Sequence, residues 1–159
     1  MRAFALALAL AGSALAHGAA RAETIEPFAR GSFAAIRAAH AGRPLVVHFW
    51  SVTCPPCLVE MPRLAARLKQ GGFDLVLVAT DPIEQSGRIA ARLEKFGLVQ
   101  VPNFAFADSF EERLRFEADR GWRGELPFTV LVRPDGAAAT VVGELEISTL
   151  DKWLNDMRT

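Results

Sequence analysis

The sequence predicts an α/β fold, a central mixed β-sheet with helices on both faces. Three observations carry this. Leu45–Trp50 and Phe73–Thr80 are continuous apolar runs of strand length, the pattern of strands covered on both sides. Segments of helical periodicity alternate with such runs along the chain. The last two runs, 127–132 and 137–144, flank Pro134-Asp135-Gly136, a turn signal that makes them a hairpin.

Taken in order, the stretch near Ile25 to Ala29 reads as an edge strand. A helix follows, with Ser32 as its cap, Phe33, Ile36 and Ala39 on one face, and Gly42 and Pro44 ending it. The strand Leu45–Trp50 leads straight into a second helix, whose first turn holds Pro55 and Pro56, where a missing N–H costs nothing. Leu58, Met61, Leu64, Ala65 and Leu68 form its apolar stripe, Pro62 is expected to kink it, and Gly71-Gly72 ends it. After the strand Phe73–Thr80, Ile89, Leu93 and Phe96 mark a third helix closing on Gly97. A short strand falls in 101–108. Ser109 and Glu112 suggest a capping box for a fourth helix. After the hairpin, a last helix is expected to be capped by Ser148 and to turn Leu150, Trp153, Leu154 and Met157 inward.

With 159 residues and 51% apolar content, the chain is long enough for one domain with its own core. Residues 1–22 read as a secretory leader: Arg2, an apolar run from Ala3 to about Leu15, then small-residue sites at Ala14-Leu15-Ala16 and Ala20-Arg21-Ala22. The other reading, an uncleaved membrane anchor, is weakened by the length, since a span needs roughly 20 apolar residues. The expected domains are thus a leader, 1–22, and one domain, 23–159. Cleavage removes Arg2 and Arg21, leaving 16 basic against 18 acidic residues, a net charge of −2. That balance argues against a nucleic acid or an anionic membrane surface as partner. Export, with a bacterial periplasm as the expected compartment, would let a disulfide persist.

The chain has two cysteines, Cys54 and Cys57, in Phe49–Pro62, FWSVTCPPCLVEMP. A disulfide across so short a loop restricts the unfolded chain little, so a structural staple is a poor reading. Two thiolates can hold Cu(I), but a structural zinc site would want two further ligands. A redox couple fits best. Cys54 falls where a strand ends and a helix begins, so the helix dipole and unpaired N–H groups would favour its thiolate. Cys57 lies about one turn on, placed to resolve a mixed disulfide. Pro55 and Pro56 remove two N–H donors, which limits that stabilisation and favours the disulfide form at equilibrium.

Four features give the chain a family likeness: Phe49-Trp50, Cys54-Pro55-Pro56-Cys57, Glu60-Met61-Pro62, and Leu126-Pro127-Phe128-Thr129 before the last hairpin. From about Gly31 to Met157 it resembles the thioredoxin superfamily, and within it the TlpA/ResA-like periplasmic thiol:disulfide oxidoreductases. The resemblance implies a thioredoxin-like fold with a TlpA-type central insertion near residues 98–120. It implies Cys54 as the attacking and Cys57 as the resolving cysteine. Pro127 would be a cis-proline facing the pair, and Leu126 would offer backbone groups to an extended substrate. Glu60 matches an acidic residue that tunes proton transfer. Thr53 and Pro55 are further candidates for substrate contact, as is Trp50, whose plainer reading is a core residue that shields the cysteines.

His48 stands where thioredoxin has a buried acid and is a candidate proton relay for Cys57. Its plainer reading is a core histidine hydrogen-bonded to backbone. Thr53 replaces a frequent Trp, which implies a smaller, more polar docking surface. The run 121–129 lacks the Gly-Val-x-Gly-x-Pro-Glu-Thr pattern of dedicated cytochrome c maturation reductants.

The expected activity is disulfide reduction in periplasmic clients, of the cytochrome c maturation or copper-site assembly type. No organic cofactor is needed, since the electrons reside on sulfur. The expected partners are disulfide-containing proteins and a membrane thiol protein that donates electrons, and the chain is expected to act as a monomer. Two alternatives stay open: a disulfide-donating oxidase, and a copper(I) carrier for cytochrome oxidase assembly.

Overall fold

The structure is a computed structural model that describes residues 24–157. The expected leader lies outside the described residues. The elements are β1 (Ile25–Phe28), α1 (Ser32–Ala39), β2 (Leu45–Trp50), α2 (Pro55–Leu68), β3 (Asp74–Pro82), α3 (Ser86–Phe96), β4 (Asn103–Phe106), α4 (Glu111–Ala118), β5 (Phe128–Val132), β6 (Ala138–Val142) and α5 (Ile147–Asn155). A short 3-10 turn, Ile83–Gln85, joins β3 to α3.

The six strands form one sheet in the order β1-β4-β3-β2-β5-β6. β1, β4, β3 and β2 run parallel, while β5 is antiparallel to β2 and to β6. β4 and α4 fall within the expected insertion, and β4 pairs on one side with β3 and on the other with β1. The mixed sheet with helices on both faces is as expected.

Alternation along β2 explains the two cores. Val46 and Trp50 point to one face, against Met61, Leu64 and Ala65 of α2, Leu93 of α3 and Leu150 and Leu154 of α5. Leu45, Val47 and Phe49 point to the other, against Phe33 and Ile36 of α1 and Leu114 of α4. Aromatic packing dominates the second face: Trp122 stacks on Phe128 at 4.4 Å and lies 4.7 Å from Phe49.

Three expected caps are replaced. Gly31, at φ 83°, caps α1, and the Ser32 hydroxyl instead accepts from the Ala29 N–H at 3.0 Å. α4 starts one residue later than a Ser109 cap requires, with Phe110 at its N-cap, which puts Glu112 out of capping-box register. Asp108 accepts the Phe110 N–H there, at 2.9 Å. α5 begins at Ile147, so Ser148 lies inside the first turn and the Glu146 carbonyl accepts from Thr149 and Leu150. Helix α2 carries Pro62 on its exposed side and runs on to Leu68. The β5–β6 turn is as expected: Gly136 takes φ 87°, and Asp135 accepts the Ala137 N–H.

Candidate active site

Cys54 and Cys57 are joined in a disulfide at the point where β2 gives way to α2. Cys54 is the N-cap of α2, in extended conformation, and its sulfur accepts the Cys57 N–H at 3.3 Å. Pro55 and Pro56 fill the first two helical positions and have no N–H, so the Cys57 N–H is the first donor the helix end offers. The two sulfurs are unequally placed. Cys54 is partly exposed, whereas Cys57 is fully buried against the α2 core.

Pro127 is preceded by a cis peptide bond. Phe128, the next residue, pairs with Phe49 in the antiparallel register of β2 and β5, which brings Pro127 beside the end of β2 that leads into the cysteines. Leu126 is partly buried against both cores. Trp122 supports this segment, its indole N–H donating to the Glu125 carbonyl at 2.9 Å. Thr53, Pro55, Pro56 and Val59 are exposed around Cys54. Trp50 has no exposed surface. It packs under the site, in the core role that is its plainer reading.

Glu60 lies one turn beyond Cys57 on the same helix and is 1% exposed. Its Oε1 accepts the Leu145 N–H at 3.1 Å, and its Oε2 has no hydrogen-bond partner among the described residues. Burial pushes its carboxyl up to about 7, and the Leu145 N–H opposes that rise. His48 is wholly buried on the same side of the sheet, because it shares the alternation of Val46 and Trp50. Its Nδ1 is 2.9 Å from the Thr129 hydroxyl and 3.8 Å from Glu60 Oε1, while Nε2 has no hydrogen-bond partner among the described residues. Burial lowers its value to about 4, so the imidazole is neutral at physiological pH. The fold thus brings His48 and Glu60 together in the layer that also buries Cys57.

Sequence reasoning missed four contributors. Asp81 at the end of β3 accepts the Ser51 hydroxyl at 3.1 Å and the Val52 N–H at 2.9 Å, in the loop before Cys54. Thr129 faces His48 across the β2–β5 pair. The other two are Leu145, through its backbone, and Val59, through its exposure. Only Asp81 left a signal, as an acid closing an apolar run whose end adjoins the end of β2.

A cavity of about 250 Å³ lies elsewhere, lined by Thr24, Ile25, Leu93 and Asn103 among others. Ile25 and Asn103 begin β1 and β4, so it opens at the amino-terminal ends of the parallel strands. The cysteines follow the carboxyl end of β2, where ligands of open α/β sheets bind.

No family model matches the chain. It is 25% identical over 127 residues to thiol-disulfide oxidoreductase ResA of Oceanobacillus iheyensis, a match that covers 73% of this chain. The chain spans 58% of the length of that curated relative. Among solved structures, a secreted Mycobacterium tuberculosis disulfide oxidoreductase homologous to E. coli DsbE superposes with a TM-score of 0.60, at 23% identity over 75% of this chain and 85% of that one. A thioredoxin-related protein from Neisseria meningitidis serogroup B gives 0.60 at 26% identity, over 72% and 84%. The fold and site define a protein with a disulfide at the start of α2, between one partly exposed and one buried cysteine. Its fold is thioredoxin-like, as expected.

Proposed function

We propose that the chain is an exported thiol:disulfide oxidoreductase of the TlpA/ResA-like branch that reduces disulfides in periplasmic client proteins. The observation that carries this is the inequality of the two sulfurs: Cys54 partly exposed at a helix end, Cys57 buried one turn behind it. The β4–α4 insertion and Glu60-Met61-Pro62 support the branch, and the leader-like 1–22 supports export.

In the dithiol form, the Cys54 thiolate attacks one sulfur of a client disulfide, releasing the other client sulfur as a thiolate. Cys57 loses its proton to the ionised form of Glu60, the buried carboxyl on its own helix face, which is available near and above pH 7. It then attacks Cys54 Sγ, which releases the second client thiolate and leaves the Cys54–Cys57 disulfide. The proton from Cys57 passes outward to a departing client thiolate. Two electrons have moved from the protein dithiol to the client, and a membrane thiol protein restores them by the reverse exchange. His48, neutral and 3.8 Å from Glu60, borders that carboxyl and is a candidate to relay its proton. Thr53, Pro55 and Leu126 supply the surface on which an extended client segment lies, with Pro127 bordering it.

The test is a glutathione redox titration with thiol trapping, run on the mature protein and on Cys57→Ala. A potential more negative than about −200 mV and a client mixed disulfide trapped through Cys54 are expected. A potential near the strongly oxidising end, about −120 mV, would make the protein a disulfide donor instead.

A further inference from the structure

The end of β3 departs from regular pairing beside the cysteine loop. Between Ala79, paired with Ala105, and Pro82, paired with Phe106, β3 carries two residues that β4 does not match, Thr80 and Asp81. Such irregularities re-aim side chains. Both point their polar atoms at the chain leaving β2. The Thr80 hydroxyl donates to the Trp50 carbonyl at 3.4 Å. Asp81, 8% exposed, takes the Ser51 hydroxyl on one carboxylate oxygen and the Val52 N–H on the other.

Ser51 passes this anchorage on. Its hydroxyl oxygen accepts the Thr53 N–H at 3.1 Å and lies 3.0 Å from the Thr53 hydroxyl, while its carbonyl accepts the Cys54 N–H at 3.2 Å. Every one of the residues Ser51 to Cys54 is therefore tied, directly or through Ser51, to one buried carboxylate. With both prolines lacking N–H, Cys54 depends on a single donor, the Cys57 N–H, so its placement over the helix end has little tolerance.

We propose that Asp81 is a positioning residue for the cysteine pair, acting through Ser51 to hold the loop that seats Cys54 over the end of α2. This rests on the oxidoreductase reading, and the readout is chosen to be separable from it. Iodoacetamide alkylation of Cys54 across pH needs no client. If the wild type fails to reduce any protein disulfide, the functional reading falls while the alkylation comparison still decides the role of Asp81.

The experiment measures the alkylation midpoint and the rate of exchange with oxidised glutathione, on reduced wild type, Asp81→Ala, Asp81→Asn and Ser51→Ala, each checked for a cooperative thermal transition. In Asp81→Ala the midpoint should rise toward that of a free thiol and exchange should slow by roughly 10- to 100-fold, the scale of a misplaced reacting group. Asp81→Asn still accepts from Ser51 but cannot also accept the Val52 N–H, and should recover most of the rate. Ser51→Ala should resemble Asp81→Ala, with the double variant costing less than the sum of the two. If Asp81→Ala does not fold, Ser51→Ala breaks the same tie and is judged by the same outcomes. Folded variants with midpoint and rate within twofold of wild type would overturn the proposal. So would a midpoint that falls, since that would show the carboxylate acting only as a repelling charge.

Discussion

Replacing Glu60 by glutamine should change how stability depends on pH, by an amount that follows from its burial. In the folded chain Glu60 keeps its proton to about pH 7, against an ordinary value of 4.5. Between those values the folded form binds one proton more than the unfolded form, so stability falls as pH rises. At about 1.4 kcal/mol per pH unit, the loss across the window is roughly 3 kcal/mol. His48 acts in the opposite sense. Its value is lowered from 6.5 to about 4, so the unfolded chain binds the extra proton in that range and stability falls as pH falls. The two slopes cancel between 4.5 and 6.5, which leaves the wild type a plateau there. Glutamine keeps the acceptor for the Leu145 N–H and has no proton to lose. The stability of Glu60→Gln minus that of wild type should therefore rise by roughly 3 kcal/mol from below pH 4.5 to above pH 7. Urea unfolding of the disulfide form from pH 4 to 8 measures this, with the cysteines unable to titrate. A difference that stays flat across this range would refute the reasoning.

Other outcomes follow from the same geometry. His48→Asn can still bond the Thr129 hydroxyl but has no imidazole to protonate; urea unfolding should show its stability at pH 4 raised relative to wild type by roughly 3 kcal/mol more than at pH 7. Trp122→Ala removes the stack on Phe128, the contact with Phe49 and the bond to the Glu125 carbonyl, and should cost about 3–5 kcal/mol in chemical denaturation. Gly31→Ala meets nothing within 4 Å, so only backbone strain at φ 83° remains, a loss of roughly 1–2 kcal/mol readable as a lowered Tm. Glu144 raises the Glu60 carboxyl and is paired with Arg63, whose charge lowers it. Arg63→Gln should accordingly move the alkaline fall in stability to higher pH.

What was legible in the sequence divides along a physical line. The order of elements could be read because periodicity is local: the continuous runs at 45–50 and 73–80 have strand length and turn residues beyond them, which places Cys54 between a strand and a helix carrying proline in its first turn. Helix starts were less legible. Three serines offered themselves as caps, and in each case a neighbouring glycine, aspartate or backbone carbonyl took that place. Contacts that cross the sheet were not legible. His48 meets Glu60 only because strand alternation and the inward face of α2 agree. Asp81 reaches Ser51 across 30 residues of chain, at an irregularity in β3 that no residue pattern announced. For Trp50 the sequence left core packing and substrate contact both open, and alternation turns it into the core.

The central claim is that one sulfur is made ready for exchange by its place at the start of α2. The most direct test is to reduce the protein and follow alkylation of each cysteine separately across pH by mass spectrometry. Cys54 should show a midpoint at least about one unit below the 8.5 of an ordinary thiol, with Cys57 unreactive while the protein stays folded. Two thiols that react alike, both with the midpoint of free cysteine, would contradict it.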